Sequence, residues 1–194
     1  MLAELLTEEG LALTADESVE LFMGRSWETV ETYVRERRGE PLPDGFRGRY
    51  LDAMFAHFEA ELEPVPGVVD ALDALDALAL PTCVASSGWH EKIRLTLGHT
   101  GLYERFEGRI FSATEVEHGK PAPDLFLHAA AGMGWDPAEC AVVEDSPAGV
   151  EGAAAAGMTV LGYAGRTPAA RLRGAHHVFA DMADLPGLLQ SPPS

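Results

Sequence analysis

Three short stretches of the chain hold residue types suited to handling a phosphate group. Residues 119–124 (GKPAPD) set a single lysine, Lys120, in a frame of glycine and proline. Most surface lysines sweep through many rotamers, but Gly119, Pro121 and Pro123 restrain the backbone that carries this one. A positioned ammonium is a point cation, able to neutralise charge that develops on a phosphoryl group. Residues 142–158 (VVEDSPAGVEGAAAAGM) form an apolar stretch that ends in two adjacent carboxylates, Glu144 and Asp145, just before a helix. Two carboxylates closing a buried strand repel each other and lose hydration unless a cation sits with them. Hard oxygen ligands, few in number, leave room for water and substrate oxygens, which suits magnesium. Ser86 and Ser87 follow a strand-like run at 81–86 (PTCVAS), where hydroxyl and backbone N–H groups at a helix start can hold phosphate oxygens. Plainer roles exist for each: a helix cap for Ser86, Ser87 or Asp124, a solvated surface lysine, and an N-cap with an N1 proline at Ser146–Pro147.

The elements that must position these groups follow from the hydrophobic pattern. Up to Pro64 the pattern is helical: Trp27, Val30 and Val34 share a face of a helix that Ser26 can cap. Phe46, Tyr50, Met54, Phe55, Phe58 and Leu62 make a broad apolar stripe in the next helix. After Gly67 the period changes. Val68, Leu72, Leu75 and Leu78 predict a helix, 81–86 a strand, 109–112 a short strand and 124–132 a helix. Residues 140–144 predict a buried strand, 147–156 a helix, 158–162 and 177–179 further strands, and 182–189 a last helix. Strands alternating with helices require crossover connections and a parallel sheet. Such sheets bind ligands beyond the carboxyl ends of their strands. Ser86, Lys120 and the Glu144–Asp145 pair all fall at or near such ends, and this shared placement makes them a candidate site. The expected organisation is a helical segment over 1–63 and a Rossmann-like α/β core over 64–194.

Composition excludes several classes. Fourteen Lys and Arg against 31 Asp and Glu give a net charge of −17, opposite to what phosphate-backbone contacts with nucleic acid need. No apolar run approaches the roughly 20 residues of a membrane span, and the acidic N-terminus MLAELLTEEG does not read as a secretory signal. Cys83 and Cys140 each lie in an apolar run, which reads as buried thiols in a reducing, cytoplasmic compartment. The seven histidines are scattered, and His176–His177 lacks zinc spacing.

Ser86 after a strand, Lys120 in GKPAPD, and EDSPAG followed by AAAAGM together resemble the haloacid dehalogenase superfamily over nearly the whole chain. The acidic pair points to the phosphate-handling members rather than the true dehalogenases, which need no magnesium. FMGRS at 22–26 is similar to the cap segment of the sugar-phosphatase and beta-phosphoglucomutase branch. The resemblance implies a helical cap over 1–63 on the α/β core, and a magnesium-dependent phosphatase acting on a small phosphorylated metabolite such as a sugar or polyol phosphate. It implies that Ser86 hydrogen-bonds the transferring phosphoryl, with the Ser87 backbone adding a contact. Lys120 then balances its charge, and Asp145 ligates Mg2+ with Glu144 in support. In the cap, Arg25 and Trp27 become candidates for selecting the leaving group; a solvated arginine and a core tryptophan are their ordinary roles.

The chain departs from the family pattern at one point: it contains no Asp-x-Asp-Gly segment to supply the attacking aspartate and the acid–base partner. By the resemblance, that strand sits between those ending at Ser86 and Glu144. Without it, partners roughly 9–10 Å apart carry unpaired backbone groups. The sheet must then close up, recruit another segment or remain unstable. An incomplete N-terminus is the expectation that follows. The alternatives are a phosphomutase of the beta-phosphoglucomutase type and an inactive phosphoester-binding protein. A receiver domain, with its acid pair on the first strand, fits the order of elements poorly.

Overall fold

The computed structural model describes residues 1–22 and 27–190, with the side chains of 58–61 left aside. Its contacts divide the chain into Met1–Leu62 and Glu63–Ser194. Ser26, expected as a cap, and the side chain of Phe58 lie outside what is described.

The first unit contains helices α1 (Leu2–Glu8), α2 (Ala15–Phe22), α3 (Trp27–Arg38) and α4 (Phe46–Glu61). Its core joins one face from each helix: Leu6, Phe22, Val30, Val34 and Phe46. Thr14 and Glu17 close the start of α2 reciprocally, Thr14 N–H donating to Glu17 Oε2 at 2.8 Å and Glu17 N–H to Thr14 Oγ1 at 3.2 Å. Trp27 stacks on Tyr50 with ring centroids 5.5 Å apart, and its indole N–H donates to Glu31 at 2.8 Å.

The second unit runs α5 (Val68–Ala77), β1 (Val84–Ser86), α6 (His90–His99), α7 (Tyr103–Phe106), β2 (Ile110–Ser112), α8 (Asp124–Met133) and β3 (Ala141–Glu144). It continues α9 (Pro147–Ala155), β4 (Thr159–Tyr163), β5 (His177–Phe179) and α10 (Leu185–Gln190). All strand pairings are parallel, as the alternation of strands and helices requires, but they form two sheets, β1–β2 and β3–β4–β5. Among the described residues, no strand lies between β1 and β3. Among the described residues, the two parts have neither closed up nor recruited another segment.

Apolar clusters hold these sheets. Phe126, Ala130, Val150, Ala153, Met158, Val160 and Leu172 form one, onto which Ala85 of β1 and Val142 of β3 both pack. Ala71, Leu75, Leu161, Phe179, Met182 and Leu185 form the other. Val160 and Leu161, consecutive in β4 and contributed one to each cluster, are fully buried, as expected of a strand covered on both faces.

Three expectations are corrected. β3 was expected to be buried, yet Ala141 is exposed and Val143 is 38% exposed, because among the described residues β3 pairs with β4 alone. Leu78, placed on the buried face of α5, lies past the helix end and is exposed. Cys83 and Cys140 are free but only partly buried, since both border the same cavity.

Candidate active site

β1 ends at Ser86, and α6 starts only at His90, with Trp89 in the N-cap position and no side-chain cap bond. Neither Ser86 nor Ser87 therefore caps this helix. Ser86 Oγ instead accepts the Gly88 N–H at 3.1 Å, closing a tight turn, while Ser87 is exposed. The turn is anchored from below by Ser112, the fully buried last residue of β2. Its hydroxyl donates to the Gly88 carbonyl at 2.7 Å, and its Oγ accepts the Thr114 N–H at 3.1 Å. Glu115 completes this capping box by accepting the Ser112 N–H at 2.5 Å. That bond, with His90 and His128 alongside, holds the Glu115 carboxyl below its ordinary value of 4.5.

Lys120 sits in a turn closed by Ala122 N–H donating to the Gly119 carbonyl at 3.0 Å. Its side chain is only 11% exposed and lies over the Phe126 ring, 4.9 Å from the centroid. The ammonium donates to the Ala85 carbonyl at 3.3 Å and pairs directly with Glu144, so it bridges the carboxyl ends of β1 and β3. Asp124 does not cap α8: Pro123 holds that position, and the Asp124 carboxylate pairs with His118 Nδ1 at 3.1 Å.

Glu144 and Asp145, adjacent in sequence, have opposite environments. Glu144 is 8% exposed and accepts from Lys120, from Ser146 N–H at 3.3 Å and from Ser146 Oγ at 2.9 Å. Ser146 is also the N-cap of α9, accepting Gly149 N–H at 3.0 Å with Pro147 in the first turn. Asp145 faces solvent. The cation that the buried carboxylate requires is thus the ammonium of Lys120, and among the described residues no three His, Cys, Asp or Glu side chains converge as a metal site.

Two glycines make this arrangement possible. A Cβ at Gly149 would overlap the Glu144 carboxyl itself, and one at Gly152 would lie 3.0 Å from the Ala122 carbonyl and 3.1 Å from that of Pro121. α9 can thereby pack against both the acid and the Lys120 turn. Glycines inside a helix are the sequence signal for such close approach. Ser112 and Phe126 gave no comparable signal. Trp27 packs within the first unit, and Arg25 lies outside the described residues.

Residues 4–157 match the profile of the haloacid dehalogenase-like hydrolases. The chain is 30% identical over 155 residues to 6-phosphogluconate phosphatase of Escherichia coli (strain K12), covering 79% of this chain and 69% of that protein. It is 37% identical over 147 residues to the probable pseudouridine-5'-phosphatase of Drosophila melanogaster, covering 73% of this chain but only 64% of the relative. A haloacid dehalogenase family hydrolase from Deinococcus radiodurans R1, solved with bound phosphate and sodium, superposes with a TM-score of 0.70 at 29% identity, covering all of this chain and 89% of its own. With most of its length in the profile and with Ser86, Lys120 and Glu144 gathered at the strand ends, the chain belongs to the haloacid dehalogenase-like hydrolases.

Proposed function

We propose that this chain supplies the phosphate-holding and charge-balancing groups of a magnesium-dependent phosphatase for small phosphate monoesters, a sugar or polyol phosphate foremost. One observation carries the reading: a nearly buried lysine bridges the carboxyl ends of two parallel strands, one residue from a serine that caps no helix. The names of the relatives support the phosphatase chemistry, and 6-phosphogluconate supports the sugar-acid class.

The chain's own residues divide the work. Ser86 Oγ already accepts the Gly88 N–H, so its O–H proton is available to a phosphate oxygen. The exposed turn at Ser87 adds backbone donors. Two of the three Lys120 N–H donors hold Ala85 and Glu144, which leaves the third for the phosphoryl group. Glu144, fixed by Ser146, holds that ammonium in place. An ion that keeps several waters and takes one or two carboxylates fits the remaining donor, the exposed Asp145, with Glu144 in support through water. When bound, magnesium spreads the charge of the phosphate oxygens.

In the reaction a carboxylate attacks phosphorus, the alcohol departs with a proton, and water then releases phosphate from the acyl phosphate. The chain contains no Asp-x-Asp-Gly segment to provide that carboxylate. The two free thiols support a reducing, cytoplasmic setting, and among the described residues no helix is long and apolar enough to cross a membrane.

Phosphate binding tests the site independently of turnover. Inorganic phosphate with magnesium is expected to raise the melting temperature of the chain, as for any ligand that binds only the folded state. Ser86→Ala and Lys120→Met are each expected to abolish the shift. An unchanged shift in both variants refutes the assignment.

A further inference from the structure

The chain carries twelve arginines but only two lysines, Lys92 and Lys120. Both stand at the carboxyl end of β1. Lys120 comes in from the β3 side and meets the Ala85 carbonyl, one residue before Ser86. Lys92 comes in from the α6 side. It is the third residue of that helix, and helical side chains lean back toward the amino end, so its stem runs over the turn that follows β1. A Cβ at Gly88 would lie 3.5 Å from Lys92 Cδ and 3.4 Å from Ser86 Oγ. The lysine stem and the serine hydroxyl thus flank one point of the turn.

The head of Lys92 is also placed. Its ammonium lies 5.8 Å from the centroid of the Trp89 ring, within the range of a cation–π contact. Trp89 is the N-cap residue of α6, three positions after Ser86, so the ring and the cation it orients both belong to the edge of the phosphate turn. Lys92 is half-buried, and that burial lowers its ammonium from the ordinary value of 10.5. An anion brought to a partly desolvated ammonium favours its charged form.

Position separates the tasks of the two lysines. Lys120, beside Ser86 and paired with Glu144, serves the phosphoryl group. Lys92 has its Cδ at Gly88, two residues beyond Ser86, and its head two bonds further on, at Trp89. A molecule that meets both Ser86 and Lys92 needs a second negative charge a few bonds away from its phosphate. The net charge of −17 repels such a molecule at long range, so any preference for it must come from a local cation. A lysine head is a compact point charge that takes a single carboxylate without the two-pronged geometry of arginine.

We propose that Lys92, oriented by Trp89, is a specificity residue that binds a carboxylate at the far end of the phosphorylated substrate, so that phosphorylated sugar acids are preferred to the matching alcohols. The proposal rests on the phosphate site at Ser86 and Lys120 and adds to it the residue that reads the rest of the molecule.

Calorimetric titration of the full chain in the presence of magnesium compares three probes: inorganic phosphate, ribitol 5-phosphate and 5-phosphoribonate. The last two differ only in a terminal hydroxymethyl or carboxylate group. The acid is expected to bind at least tenfold more tightly than the alcohol, as a charge-assisted hydrogen bond provides. Lys92→Met keeps the stem over Gly88 and removes the charge. It is expected to bring the acid down to the affinity of the alcohol, with the alcohol and inorganic phosphate unchanged, while Lys92→Arg keeps part of the preference. Lys120→Met is expected to weaken all three probes. Equal binding of acid and alcohol by the unaltered chain overturns the proposal, and so does a preference that survives in Lys92→Met. A Lys92→Met chain that loses all three probes in proportion overturns it too, because the lysine then only props the turn. An unaltered chain that binds none of the three refutes the phosphate site itself, and the proposal falls with it.

Discussion

Replacing Glu144 with alanine removes the acceptor that holds a nearly buried ammonium. Lys120 and Glu144 are 11% and 8% exposed, so neither charge can recover full hydration if its partner is lost. In Glu144→Ala the ammonium keeps only the Ala85 carbonyl at 3.3 Å and the Phe126 ring, and Ser146 loses the carboxylate that accepts its hydroxyl hydrogen bond. Breaking a buried pair from one side costs about 3–5 kcal/mol. For a chain of this size that corresponds to a fall of roughly 6–20 °C in melting temperature. Lys120→Met strands the carboxylate instead but leaves it two bonds from Ser146, so it is expected to cost less, about 2–4 kcal/mol. The double variant Lys120→Met/Glu144→Leu leaves neither charge buried alone. It is expected to be more stable than the sum of the single losses by at least about 2 kcal/mol. Urea unfolding followed through Trp89 and Trp135 in a Trp27→Phe background measures this cycle in the second unit. Additive losses, or a cost below about 1 kcal/mol for Glu144→Ala, would refute the claim that this pair is mutually dependent and shielded from water.

Further outcomes follow from neighbouring contacts. Gly149→Ala, whose added carbon overlaps the Glu144 carboxyl, is expected to lose more than the 1–3 kcal/mol typical of overpacking, and more than Gly152→Ala; melting temperatures rank the two. Ser112→Ala removes the donor to the Gly88 carbonyl and is expected to cost about 1–3 kcal/mol in urea unfolding and to weaken phosphate binding with it. Glu115, held below 4.5 first by the Ser112 N–H and then by His90 and His128, stabilises the fold above that pH and loses the contribution as pH falls through its lower folded value. Because Glu115 is largely solvated, Glu115→Gln is expected to cost only a few tenths of a kcal/mol at pH 7, and less as pH falls through that lowered value. Burial raises the Cys83 thiol, with Cys140 adding to it against Arg109, so alkylation by iodoacetamide is expected to be slower at pH 8 than that of a small free thiol.

Most of the fold was legible because its signals are local. Period-two and period-3.6 patterns, with Gly and Pro between them, place the helices and strands within a few residues. Ser86, Lys120 and Glu144 were legible as strand-end residues for the same reason. What escaped depends on which groups meet across long sequence separations. The adjacency of Glu144 and Asp145 suggested a shared cation, whereas the strand turns one carboxylate inward to Lys120 and leaves the other in water. The exposure of β3 likewise escaped: VVE reads as buried whatever stands beside it, and only the pairing reveals the exposure. Ser112 reads only as the end of a short strand, and its grip on Gly88 across 24 positions has no sequence signature.

Magnesium-dependent phosphate release from an aryl phosphate tests the central claim most directly. The chain itself is compared with a version carrying an N-terminal strand that ends in Asp-x-Asp-Gly, and with that version bearing Lys120→Met. The expected result is turnover by the extended chain alone, lowered at least a hundredfold by Lys120→Met. Turnover by the 194-residue chain itself, or an extended chain indifferent to Lys120, would place the chemistry elsewhere in the molecule.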